Sequence, residues 1–163
     1  MKRVVVLYSD YSPIIDAIKY RLNNFAEVIC SIEEPEFIKP NDLVVLCGYK
    51  KIYSGKALNI KYSLLPAFTD SNDPIMDAFL AGVKVTGITF CYTNPSKILA
   101  QYPIFIKNEM HYDELVQELK YTAQVLYPLI IECLVKDSVI DLQKIVNKSS
   151  CSGSCGGCTG CNH

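Results

Sequence analysis

The hydrophobic positions of this chain fall into runs whose spacing switches between strand-like and helical. Val4 to Tyr8 is an unbroken run of three valines, Leu7 and a tyrosine with no alternation, the pattern of a strand buried on both faces of a parallel sheet. Ser12 then predicts a helix cap and Pro13 suits the first helical position, after which Ile14, Ile18, Leu22 and Phe25 recur at helical spacing. Ala26 to Ile32 reads as a second strand. Leu43 to Cys47, introduced by the turn-like Lys39-Pro40-Asn41-Asp42, reads as a third.

Further on, Asn72 predicts a cap, and Asp73-Pro74 opens a short helix through Ile75, Met76, Phe79 and Leu80 that Gly82 ends. Val83 to Tyr92 is the next strand, Asn94-Pro95-Ser96 a turn, and Tyr102 to Ile106 another extended run. Leu115, Leu119, Leu126, Ile130 and Cys133 mark a long helix in which Pro128 predicts a kink. A short helix over Asp137 to Val146 leads to the polar run 147–150, read as a linker. Alternating helical and extended segments predict an α/β domain over 1–146, with a mostly parallel sheet flanked by helices and an irregular C-terminal tail over 151–163.

Composition narrows the partners. The chain has 163 residues, 50% of them hydrophobic and 20% charged, enough apolar material for one sizeable core. With 16 basic against 17 acidic residues there is no bulk field to draw in nucleic acid or an anionic membrane. The apolar start is closed by Asp10 before a signal core or membrane span could form, so the expectation is a cytoplasmic protein with reduced thiols.

The eight cysteines divide into two populations. Cys30, Cys47 and Cys133 lie in apolar runs and read as small core residues. Cys151, Cys155, Cys158 and Cys161 crowd a Gly- and Ser-rich end with the spacing C-x3-C-x2-C-x2-C and no large apolar residue. Such a segment cannot order itself by burying a core, but glycine permits the tight turns that wrap thiolates around one metal centre. A [4Fe-4S] cluster would use four thiolates in this way; zinc or another soft metal is the alternative, as is a redox-active or disordered tail, and a redox or protein partner could dock through it. His163 could assist the metal site, whereas His111, at the start of the long helix, reads as a capping residue.

The segment Asn59-Ile60-Lys61-Tyr62-Ser63-Leu64-Leu65-Pro66 resembles the Asn-Ile-His-Pro-Ser-Leu-Leu-Pro signature of the formyltransferase family. Two further stretches resemble that family in the same order, Gly82 to Phe90 as the strand after the signature and Leu126 to Ile131 as the final helix. The resemblance implies a Rossmann-like formyltransferase fold, one-carbon transfer from 10-formyltetrahydrofolate or a related folate to an amine, and a small-molecule cleft. It makes Asn59 the oxyanion donor and places Lys61 where the family has its catalytic His. It also implies ligand contacts at Gly48, Ser63, Leu64, Leu65, Pro66 and Cys91, the last standing where the family has a second His.

Other departures bear on the chemistry. The family's Asp-bearing loop has no counterpart between Thr93 and Ile98, and the turn after the first strand reads Ser9-Asp10-Tyr11-Ser12-Pro13 in place of a glycine-rich phosphate cradle. The segment before the signature is also short. A structural reading of the signature competes with the catalytic one, in which Ser63 to Pro66 packs a turn on the sheet and Asn59 satisfies backbone groups. The functional expectation is therefore a divergent formyltransferase-like protein with weakened or altered chemistry and a four-cysteine metal site. The alternative is an iron–sulfur or zinc accessory protein that uses the α/β domain as a docking body.

Overall fold

The computed structural model describes residues 1–150. Its elements run β1 (Lys2–Tyr8), α1 (Pro13–Leu22), β2 (Ala26–Ser31), β3 (Leu43–Cys47), β4 (Ala57–Lys61), α2 (Pro74–Leu80), β5 (Val85–Thr93), β6 (Ser96–Phe105), α3 (Tyr112–Val135) and α4 (Leu142–Ser150). The strands form one six-stranded sheet in the order β2-β1-β3-β4-β5-β6. The first four strands are parallel; β5 is antiparallel to β4, and β6 to β5. The sheet is thus mostly parallel with an antiparallel hairpin at one edge, and helices pack on it as expected.

Strand alternation explains why Val4–Leu7 of β1 and Leu43–Cys47 of β3 carry no charged residues, since each stretch must serve two cores. Val4 and Val6 of β1, with Val45 and Cys47 of β3, join the main core beneath α1 and α3. Val5, Leu7, Val44, Leu46 and Ala57 form a smaller cluster on the second face. Among the described residues no helical residue belongs to that cluster, which is covered by Ile38, Tyr49 and Tyr53 from the connections before β3 and after it. The short segment before the signature is therefore a loop that joins two adjacent parallel strands directly.

The long helix buries Leu115, Leu119, Ala123, Leu126, Tyr127, Ile130 and Ile131, a stripe at helical spacing. It runs as one α-helix through Pro128, which is itself buried. Fully buried Tyr127 donates its hydroxyl to the carbonyls of Leu46 (3.0 Å) and Leu58 (3.1 Å), and its ring lies against Phe90. Those carbonyls are available because β3 and β4 pair only at Val44–Ala57 and Val45–Leu58 before diverging. Burial holds the Tyr127 phenol in its neutral form far above the ordinary tyrosine range.

Several local expectations shift for identifiable reasons. Helix α1 ends at Leu22, leaving Phe25 outside it, with Lys136 Nζ 3.6 Å from its ring centre. Helix α2 is capped by Asp73, whose side chain accepts from Met76 N, and not by Asn72. Asp137 adopts φ 51° just past α3, and Asp141 supplies the cap to α4 by accepting from Lys144 N at 3.2 Å. That cap moves the last helix from the expected Asp137 start to Leu142 and carries it to Ser150, so 147–150 is helical and not a linker. Cys47 is buried as expected, whereas Cys30 and Cys133 are only half-buried.

Candidate functional site

A cleft of about 840 Å³ opens at the carboxyl edge of the parallel strands, within the usual range for small-molecule sites. Strand order changes direction between β1 and β3, the place where open α/β sheets bind ligands. Its floor comes from the ends of β3 and β4 with Cys47, Gly48, Asn59, Ile60 and Lys61. One wall is the β1–α1 turn from Asp10 to Ile14, and another is the polar face of α3 with Gln117, Lys120, Tyr121 and Gln124. The signature turn supplies Tyr62, Ser63, Leu65 and Phe68.

Gly48 carries φ +63, the left-handed conformation that glycine adopts without a Cβ penalty, and so turns the chain out of β3 toward Tyr49. Asn59 stands on the second face with Ala57, in register with Cys91 of β5. Its side-chain oxygen accepts from Ile60 N at 2.9 Å, and its amide nitrogen has no partner among the described residues. An amide donor is therefore free at the cleft. Lys61 is exposed and has no ion-pair partner among the described residues.

The signature turn is held by one hydroxyl. Thr89 Oγ1, fully buried, donates to Ser63 O at 2.6 Å and accepts from Leu65 N at 3.1 Å, while Gln101 Nε2 reaches both Thr89 Oγ1 (3.1 Å) and Leu65 O (2.9 Å). Gly87 leaves room beside this network, since a Cβ there would come within 2.8 Å of Leu64 Cδ2. The Leu65–Pro66 peptide is cis, and Phe68 at φ 56° turns the chain back into the cleft. Ser63 to Pro66 is thus a packed corner clamped to β5 and β6, as the structural reading of the signature anticipates.

Of the residues singled out in the sequence, the fold brings Gly48, Asn59, Lys61, Ser63 and Leu65 together in the cleft. Leu64, Pro66 and Cys91 do not line it. Leu64 packs over Gly87, Pro66 sits exposed at the corner, and Cys91 is buried under the β4–β5 pairing. Burial raises the Cys91 thiol above its ordinary range, against the pull of nearby Lys61, so it stays protonated at neutral pH.

Sequence reasoning missed the aromatic lining of Tyr11, Tyr49, Tyr62, Phe68 and Tyr121, because chain-distant tyrosines converge only through topology. Burial, with Cys47 nearby, raises the Tyr62 phenol, which therefore remains a donor. A faint signal existed for Lys120 and Tyr121, which follow the buried Leu119 on the outer face of α3. The cysteines of the proposed metal site, 151, 155, 158 and 161, lie outside the described residues. Among the described residues no group of three or more His, Cys, Asp or Glu is placed to hold a metal, and no helix is long and apolar enough to cross a membrane.

No family model matches the chain. It is 35% identical over 106 residues to phosphoribosylglycinamide formyltransferase of Bacillus subtilis, covering 58% of this chain and 54% of that protein. The match thus spans about half the relative's length. Among solved structures, phosphoribosylglycinamide formyltransferase from Brucella melitensis superposes with a TM-score of 0.68 at 20% identity, covering 86% of this chain and 98% of that one. A formyltetrahydrofolate deformylase from Pseudomonas syringae pv. tomato gives 0.62 at 20% identity, over 83% and 62% of the two chains.

The fold is thereby that of the Rossmann-like formyltransferases. In sequence the chain resembles the phosphoribosylglycinamide formyltransferases within that class, over the stretch that carries the signature.

Proposed function

We propose that this chain binds a formyl-bearing reduced folate in the carboxyl-edge cleft and acts in one-carbon chemistry, with formyl transfer slowed or altered. The observation that carries this reading is the unpartnered Asn59 amide on a cleft floor that keeps the family's signature strand. The tyrosine-lined walls suit a flat heteroaromatic ring, and Lys61 and Lys120, without ion-pair partners among the described residues, suit the carboxylates of the folate tail.

In such a transfer the acceptor amine, once deprotonated, attacks the formyl carbon. A new N–C bond forms and an oxyanion develops; the bond from that carbon to the folate nitrogen then breaks, and the amine's proton ends on that nitrogen. Asn59 would donate to the oxyanion, an interaction whose removal elsewhere costs about 10²–10³ in kcat. Among the described residues no histidine lines the cleft and Asp10 is the only acid that does, so proton movement rests on Lys61, the Tyr62 hydroxyl or water. That deficit is why slow turnover is expected.

Isothermal titration with 5-formyltetrahydrofolate tests the binding, and absence of heat at millimolar ligand would sink it. Where transfer from 10-formyltetrahydrofolate is measurable, Asn59→Ala should lower kcat while leaving folate affinity nearly unchanged. An unaltered kcat would remove Asn59 from the chemistry.

The cysteine spacing of the tail supports a second component, a [4Fe-4S] centre with zinc as the competitor, held by Cys151, Cys155, Cys158 and Cys161. Iron and sulfide in anaerobically purified protein would establish it, stoichiometric zinc would replace it, and neither metal would end it.

A further inference from the structure

We propose that the β1–α1 end of the cleft takes a phosphate-free, cationic primary amine and rejects phosphorylated ones, with Asp10 the residue that sets the preference. Calling that amine the formyl acceptor rests on the function proposed above; its binding does not.

A β–α turn captures phosphate through free backbone amides at the helix N-terminus and a turn that lets the anion approach. Here both provisions are withdrawn. Pro13, the first helical residue, has no N–H; Ile14 N is taken by Ser12 Oγ at 3.3 Å and Ile15 N by Ser12 O at 2.9 Å. One carboxylate of the turn also lines the cleft, and a second lies outside that lining, in the first turn of α1. Asp10 lines the cleft, and Asp16, in the first turn of α1, accepts from the Tyr11 hydroxyl. A phosphate entering this end meets the Asp10 carboxylate, which already holds the Lys50 ammonium, and no free amide from the helix start.

The same arrangement favours an ammonium. Asp10 already binds one, since Lys50 Nζ lies 2.6 Å from its carboxylate across the junction between β1 and β3. The backbone N–H of Lys50 donates to Ser9 Oγ at 2.9 Å, a contact that does not involve the ammonium, so the side chain can leave without breaking it. Both partners are about three-quarters exposed, and an exposed pair is weak enough for a ligand ammonium to displace Lys50. The cleft lining thus carries both signs: Asp10 paired with Lys50, and Lys61 and Lys120, which have no ion-pair partner among the described residues.

The test is a titration of the isotope-labelled full chain, followed by amide NMR at pH 6.5, with glycinamide, its phosphoribosyl derivative and inorganic phosphate as probes. Glycinamide should move the Asp10 and Lys50 signals, and the two phosphorylated probes should leave them in place at tenfold higher concentration. Asp10→Asn should weaken glycinamide about tenfold, and Lys50→Met, which frees the carboxylate, should tighten it by a few-fold, as expected from loss of an exposed pair. Equal or tighter binding of either phosphorylated probe overturns the proposal, as does unchanged affinity in Asp10→Asn or no glycinamide binding at all. A folate titration on the same sample separates the two ideas. Folate binding with a preference for phosphorylated amine refutes only this one; glycinamide on Asp10 without folate binding refutes only the formyl-transfer reading.

Discussion

The hydroxyl of Tyr127 sits where β3 and β4 part company, and removing it is the most informative single perturbation of the fold. Tyr127→Phe keeps the ring, its contact with Phe90 at 5.8 Å between centroids and the surrounding packing, and deletes only the donor to Leu46 O and Leu58 O. Both carbonyls are then buried without that partner at the point where the two strands no longer pair. The cost of stranding such groups is about 1–3 kcal/mol. At about 2–4 °C per kcal/mol for a chain of this size, Tm should fall by about 2–12 °C.

The chain contains no tryptophan, so urea unfolding is best followed by far-ultraviolet circular dichroism. The midpoint should move while the slope against urea stays constant, because the area exposed on unfolding is the same. Exposed Tyr121→Phe is the matched control and should be silent. A loss of less than about 0.5 kcal/mol in Tyr127→Phe, the range of ordinary surface changes, would refute the claim that this hydroxyl closes the gap between the strands.

Three further outcomes follow from the geometry. Gly87→Ala should destabilise by about 3 kcal/mol or more in the same urea assay, because the new methyl overlaps the Tyr102 carbonyl oxygen and crowds Leu64 Cδ2 at 2.8 Å and Pro103 Cα at 3.0 Å. Thr89→Val, which keeps shape but removes the hydroxyl that joins Ser63 O, Leu65 N and Gln101, should cost about 1–3 kcal/mol; a neutral result would mean the signature corner is held by packing alone. Burial pushes the Cys47 thiol up to about 12, against an unfolded thiol near 9. From about pH 9 upward the unfolded chain therefore loses a proton that the folded chain keeps, and stability falls by about 1.4 kcal/mol per pH unit for this group until its folded pKa is reached. Cys47→Ala should show a shallower alkaline decline in urea midpoints, and an unchanged slope would place the thiol's ionisation elsewhere.

Sequence pattern made the two-sided strands β1 and β3 readable because burial on both faces leaves no room for a polar residue. The stripe of α3 was readable for the complementary reason, one buried face repeating at helical spacing. Strand β4 was not expected from the pattern: Ala57–Lys61 is short and ends in Asn-Ile-Lys, with no period to betray it. Strand β6 begins at Ser96, well before the expected Tyr102, since an edge strand with largely exposed side chains carries little hydrophobic signal. The cleft was half legible. The signature pointed to Asn59, Lys61, Ser63 and Leu65, but the same motif also drew in Leu64 and Pro66, which serve the corner, and Cys91, which pairs beneath it. Tyr11, Tyr49 and Lys120 gave no motif, because their meeting is a property of strand order.

The unequal cover of the two sheet faces has a consequence for how the molecule breathes. The main core is sealed by α1 and α3, whereas among the described residues the second face is covered by the loops that bear Ile38, Tyr49 and Tyr53. Elements with few buried apolar contacts open at a fraction of the global unfolding cost, so the amides of the β3–β4 loop should exchange with solvent long before those of Val4 or Val6. Tyr49 and Lys50 stand on that loop and also line the cleft. A ligand that binds there therefore meets a site whose edge opens and recloses while the helical layer stays intact. Part of its binding free energy is spent keeping that edge shut, and slowed exchange in the loop would report occupancy even from a ligand that never reacts.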